Sequence, residues 1–95
     1  MSSLISTAVE TLSAKVGSFP QGVAKFVLPG EGAIMLDPAG VRAADEAADV
    51  TLTASPDVFE AILSGTMNPM SAYMTGKLSV DGDMGLAMKL GSVLG

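Results

Sequence analysis

Three short stretches of this chain hold residues of the types that chemistry needs. Gly30-Glu31-Gly32 opens like a dinucleotide-binding turn, Gly76-Lys77 like the end of a phosphate loop, and Asp81-Gly82-Asp83 like the start of a calcium loop. Each fails on its spacing. Met35 stands where the first would need its third glycine, and no helix of that kind follows. The second lacks an upstream glycine and continues with Leu78 instead of a hydroxyl residue. A calcium loop needs several more oxygen ligands and a distal glutamate, so Asp83 reads as a helix cap. The chain has no histidine and no cysteine. That removes the commonest general base, the commonest zinc ligand and the strongest side-chain nucleophile. The serines have no base to activate them, and no spacing supports a serine–lysine pair. The chain is therefore expected not to be an enzyme: no catalytic residue, no metal site and no cofactor.

What remains distinctive is apolar. Five of the seven methionines fall between Met67 and Met88. Methionine is unbranched and polarizable, so it fills irregular gaps and adapts to ligands of changing shape. Periodicity alone leaves two uses open for such a cluster, ordinary core filling or the wall of an apolar site.

Composition narrows the partners. The 95 residues bound a single domain, 1–95, with a small core, and 48% of them are hydrophobic. No apolar run approaches the roughly 18 residues of a membrane span. Five basic residues against ten acidic ones give a net charge of −5. A nucleic-acid partner is excluded, because phosphate binding needs a basic patch and Lys15, Lys25, Arg42, Lys77 and Lys89 are scattered. Strong electrostatic attraction to anionic membranes is excluded on the same ground. Missing cysteines fit a reducing compartment. The start, Met1-Ser2-Ser3-Leu4, carries no positive or long apolar segment of a signal peptide, so a cytoplasmic location is expected.

The elements that would position these residues follow from spacing. Leu4, Ile5, Ala8, Val9, Leu12 and Val16 form a helical stripe, with Ser2 or Ser3 as cap and Gly17 as stop. Val23 to Leu28, Ala33 to Asp37 and Val41 to Ala44 read as strands, and the short links between them imply antiparallel neighbours. Asp45, Glu46 and Asp49 read as a solvated link. Asp49 to Ala54 alternates apolar and polar, so one sheet face is expected wet and the other covered by helices. Ser55-Pro56 opens a helix that Gly65 ends; Asn68-Pro69 opens another that Gly76 ends. Lys77 to Val80 reads as a strand. Asp83 caps a final helix, apolar on more than one face, that needs burial, a partner or a ligand.

From Asp49 onward the chain resembles the sterol carrier protein type 2 family, the nonspecific lipid-transfer proteins. The match runs through Asp49-Val50-Thr51-Leu52-Thr53, Phe59 with Gly65, the block from Asn68 to Leu78, and Gly82-Asp83 leading to Ala87 and Leu90. Ile34-Met35-Leu36-Asp37 is similar to the family's second strand, without the aromatic residue often found there. The resemblance implies an α/β fold of the α+β type. Five mostly antiparallel strands would carry helices on one face around an apolar tunnel. It implies a carrier of fatty acids, acyl-CoA or sterol- or isoprenoid-like molecules. The lipid-binding wall would be Phe59, Ile62, Leu63, Met67, Met70, Met74, Leu78, Met84, Met88 and Leu90. The ending without a peroxisomal signal points to a stand-alone bacterial member. Expected partners are the lipid and transient contacts with a membrane or lipid enzyme; oligomeric state is left open. The alternative is an accessory module that docks on a lipid- or quinone-modifying enzyme.

Overall fold

Strong local signals set most of the elements. The computed structural model describes residues 3–94. Its order is α1 (Ser3–Lys15), β1 (Ala24–Leu28), β2 (Gly32–Asp37), β3 (Gly40–Ala43), β4 (Val50–Ala54), α2 (Pro56–Ser64), α3 (Pro69–Met74), β5 (Leu78–Gly82) and α4 (Met84–Leu94). The expected cap Ser2 and the side chain of Ser3 lie outside the described residues. Ser55 Oγ accepts from the Val58 amide at 3.3 Å, with Pro56 in the first helical turn. Asn68 Oδ1 accepts from the amides of Met70 and Ser71 at 2.8 and 3.3 Å. Asp83 Oδ1 accepts from the Leu86 amide at 3.1 Å. Each such cap satisfies amides that the first helical turn leaves unpaired and contributes about 1 kcal/mol.

The strands form one sheet in the order β3-β2-β1-β4-β5. Three pairings are antiparallel, as short hairpins and the return after α3 dictate. The central pairing of β1 with β4 is parallel, with Phe26 opposite Leu52. It arises because the β2–β3 meander occupies one side of β1, and the chain then returns to its other side. Ala24, Phe26 and Leu28 on β1 and Val50, Leu52 and Ala54 on β4 are buried, whereas Lys25, Val27, Thr51 and Thr53 between them are half-buried. Helices therefore cover one face. There Ile5 and Leu12 of α1, Phe59 and Ile62 of α2 and Leu90 of α4 join the strand residues in one core. Phe26 and Phe59 meet with ring centroids 5.1 Å apart, tilted by 52°, a favoured aromatic geometry.

One expectation needs correction on the outer face and another gains detail. It is not uniformly wet: Met35 is 0% exposed, although its ladder neighbours are Lys25 and Arg42 rather than Ile34's inner-face set. The acidic link is exposed at Asp45, Glu46 and Asp49, as expected, and also carries ion pairs. Lys25 Nζ pairs with Asp45 at 2.9 Å, and Arg42 bridges Asp37 at 2.7 Å and Glu46 at 2.6 Å. Long basic side chains lay their methylenes along apolar surface while their heads reach acids, so this network ties the 44–48 link to the face that holds Met35. The Arg42 guanidinium holds the Asp37 carboxyl below its ordinary range. Asp49 is structural too. Its Oδ2 accepts from the Val23 amide at 3.0 Å, and its carbonyl accepts from the Asp83 amide at 3.0 Å. One residue thus joins the starts of β1 and β4 to the start of α4.

Candidate functional site

The elements from β4 onward enclose an apolar space. A cavity of about 680 Å³ lies between the inner face of β4 and β5 and the helices α3 and α4. Leu52, Leu78 and Val80 form its floor. Pro69, Met70 and Tyr73 of α3 form one wall; Met84, Ala87, Met88, Gly91 and Leu94 of α4 form the other. Gly91 has no neighbour that a side chain would meet, so its missing side chain leaves room rather than making contact. Among the described residues, the only charged one along the lining is Lys89, with Asn68, Tyr73 and Ser92 as the other polar ones. The Asn68 side-chain oxygen is already occupied by the α3 cap, and Ser92 Oγ donates to the Met88 carbonyl at 3.2 Å. The lining therefore recognises shape and apolar surface, with Lys89 as its one cation.

The space is a cleft and not a closed tunnel. Met70, Met84 and Met88 are all exposed, Met88 by 61%. The final helix also departs from its sequence reading. An apolar surface on more than one side requires cover nearly everywhere. Here only Leu90 and Leu94 are fully buried, whereas Met84, Met88 and Val93 face outward. Docking of α4 is fixed at its start. A Cβ built at Gly82 would collide with the Asp49 carbonyl oxygen, and one at Gly22 would lie 2.8 Å from Leu86 Cδ1. Both glycines let the start of α4 close onto β1 and β4.

The ten residues singled out from the sequence separate into groups. Met70, Leu78, Met84 and Met88 line this cleft. Ile62 and Leu90 are buried in the core at 2% and 0% exposure. Phe59 and Leu63 lie in the core and border a smaller cavity of about 470 Å³ between α1 and α2. Met67 packs partly buried against the core, and Met74 points away at 78% exposure. Leu52, Val80, Tyr73 and Lys89 were missed. Leu52 and Val80 carried a signal, since strict alternation put both on the inner face. Tyr73 lies one turn after Met70 on the same helix side, a spacing that could have found it.

Comparisons with known proteins agree with this architecture. Residues 6–95 match the model of the SCP-2 sterol transfer family. Human sterol carrier protein 2 is 52% identical over 46 residues, which are 48% of this chain and 8% of that protein. The chain thus spans a small fraction of the length of that relative. The crystal structure of sterol carrier protein 2 like 2 from Aedes aegypti is similar over 95% of both chains, with 27% identity and a TM-score of 0.80. A solution structure of palmitated SCP2L2 from the same organism covers 99% of this chain and 95% of its own, with 25% identity and a TM-score of 0.68. With the sheet order, the one-sided helices and the cleft already in place, the family match over nearly the whole chain settles its membership: the chain belongs to the SCP-2 sterol transfer family.

Proposed function

We propose that this domain binds and carries apolar lipids in the β5–α3–α4 cleft, with long-chain fatty acids or their CoA esters as first ligands. The observation that carries this reading is the cleft itself: about 680 Å³, floored by Leu52, Leu78 and Val80 and walled by adaptable methionines. That size falls in the usual range of small-molecule sites, about 300–1,000 Å³. Burying a chain of about 16 carbons at ~0.8 kcal/mol per methylene yields on the order of 10 kcal/mol before ordering costs. Methylenes are alike, so affinity follows chain length. A carboxylate or phosphate end finds one cation, Lys89. The palmitated relative supports a fatty acyl ligand. The domain does this work without chemistry of its own, in the cytoplasm, releasing its ligand to a second apolar environment.

Displacement of a fluorescent fatty acid tests the reading. Saturable binding at micromolar or better concentration, about −8 kcal/mol, is expected. No saturable binding across fatty acids, acyl-CoA and sterols would sink the carrier function. Turnover of an acyl ester by the purified protein, lost on a single serine or lysine substitution, would overturn its non-catalytic part.

A further inference from the structure

The methionines of the cleft are within reach of water. Met70 of α3 and Met84 and Met88 of α4 line it and are 50%, 44% and 61% exposed. Met84 and Met88 are one helical turn apart and share a side of α4. Two other methionines serve as internal references. Met74 is 78% exposed and lies outside the lining; Met35 is 0% exposed on the opposite face of the sheet. Among the described residues, the buried core under the helices contains no methionine. The chain has no cysteine and no tryptophan, so its thioethers are the side chains that a peroxide attacks first. An oxidant therefore reaches the wall of the lipid site before it reaches anything that holds the fold together.

We propose that Met70, Met84 and Met88 form an oxidation-sensitive site, and that their conversion to sulfoxides releases the lipid. The step is an oxygen-atom transfer from hydrogen peroxide. The O–O bond breaks, an S=O bond forms on the thioether, and the peroxide leaves as water; the sulfur is oxidised and the peroxide reduced by one electron pair. The consequence for binding is physical. A sulfoxide turned toward an acyl chain buries an oxygen that methylenes cannot hydrogen-bond. One turned toward water withdraws its apolar contact from the wall. Both orientations weaken binding, while the floor of Leu52, Leu78 and Val80 holds no sulfur and stays as it was. Methionine sulfoxide reductases reverse the change. External thiols are then oxidised to a disulfide and the oxygen leaves as water, since the chain carries no thiol of its own. The proposal rests on the carrier reading and adds control by redox state to it.

The test treats the intact protein with hydrogen peroxide, maps the sulfoxides by peptide mass spectrometry and measures displacement of a fluorescent fatty acid. Met70, Met74, Met84 and Met88 should oxidise well before Met35. Affinity should fall by about tenfold or more once the three cleft residues carry oxygen. It should return after treatment with both reductases, one for each sulfoxide epimer. Saturating palmitate should slow oxidation at the three cleft residues and not at Met74. Met74→Leu should lose affinity on treatment as the parent does. A variant combining Met70→Leu, Met84→Leu and Met88→Leu should show no change on treatment, whatever affinity it starts from. Affinity that survives oxidation of all three residues overturns the proposal, as does peroxide sensitivity retained by the triple variant. A loss that appears only when Met35 is oxidised also overturns it, because the fold and not the wall has then failed. No fatty acid binding by the untreated protein sinks the carrier reading and this site with it; the other adverse results strike the proposal alone.

Discussion

Phe19 and Met88 are both large apolar side chains, and the fold treats them in opposite ways: Phe19 is 1% exposed and Met88 61%. The contrast holds for their surroundings. Seven of the nine largest fully buried side chains belong to the first 36 residues, around α1 and β1–β2. Among the described residues, the large exposed ones all belong to α3 and α4. One region is packed for stability, because filled interiors maximise dispersion contacts. The other forgoes those contacts along a cleft, and what it loses in packing it can regain by binding. Mass action then couples the two, since a ligand bound only to the folded chain stabilises all of it.

That division can be broken first at the packed end. Phe19→Ala should destabilise the domain by about 3–5 kcal/mol in urea unfolding, the usual cost of removing a buried aromatic ring. A loss near zero would mean that the α1 half is not the stabilising one. Gly82→Ala tests the junction between the regions. Its φ of +107° and the Asp49 carbonyl behind it leave no place for a methyl group. A loss of about 2–4 kcal/mol is expected from strain and overpacking, and an unchanged unfolding midpoint would show that α4 can dock differently.

Changes in the open region should act on binding. Met88→Ala should cost less than about 1 kcal/mol of stability, because the side chain is mostly exposed. It should still weaken fatty acid binding by about tenfold, as one to two lost methylene contacts at the wall require. Equal losses in both measurements would erase the distinction. Lys89→Met should lower palmitate affinity by about two- to fivefold, the scale of an exposed ion pair, and leave hexadecanol affinity unchanged. An equal effect on both ligands would remove Lys89 from headgroup recognition.

The smallest effect lies on the outer face. Arg42 lowers the folded-state pKa of Asp37 below its unfolded value. The stabilisation is therefore fully present above the unfolded pKa of about 3.9 and lost as pH falls through the lower folded value. Asp37→Asn should be slightly less stable than the parent at neutral pH, with the gap closing below about pH 4. A gap that widens in acid would reverse the assignment.

Much of this protein was written locally. Ser55-Pro56, Asn68-Pro69 and Asp83 announce helix starts because a cap needs only its own first turn. The alternation of Val50, Leu52 and Ala54 announces a one-sided strand because the pleat needs only the strand. The motif block from Asn68 to Leu78 carried the family. Other features depend on residues far apart in the chain, and no local pattern contains them. Short links suggested antiparallel neighbours, but the parallel β1–β4 pair exists because β2 already fills the other side of β1. Phe19 lies in no periodic element, and Met35 is buried from the side that alternation assigns to solvent. The methionines show the limit most clearly. Their type announced an adaptable apolar surface. Which of them line the cleft, which pack inward and which face outward depended on how two short helices dock against β4 and β5. A cavity is a relation among four separate elements, so only the tertiary structure decided its members.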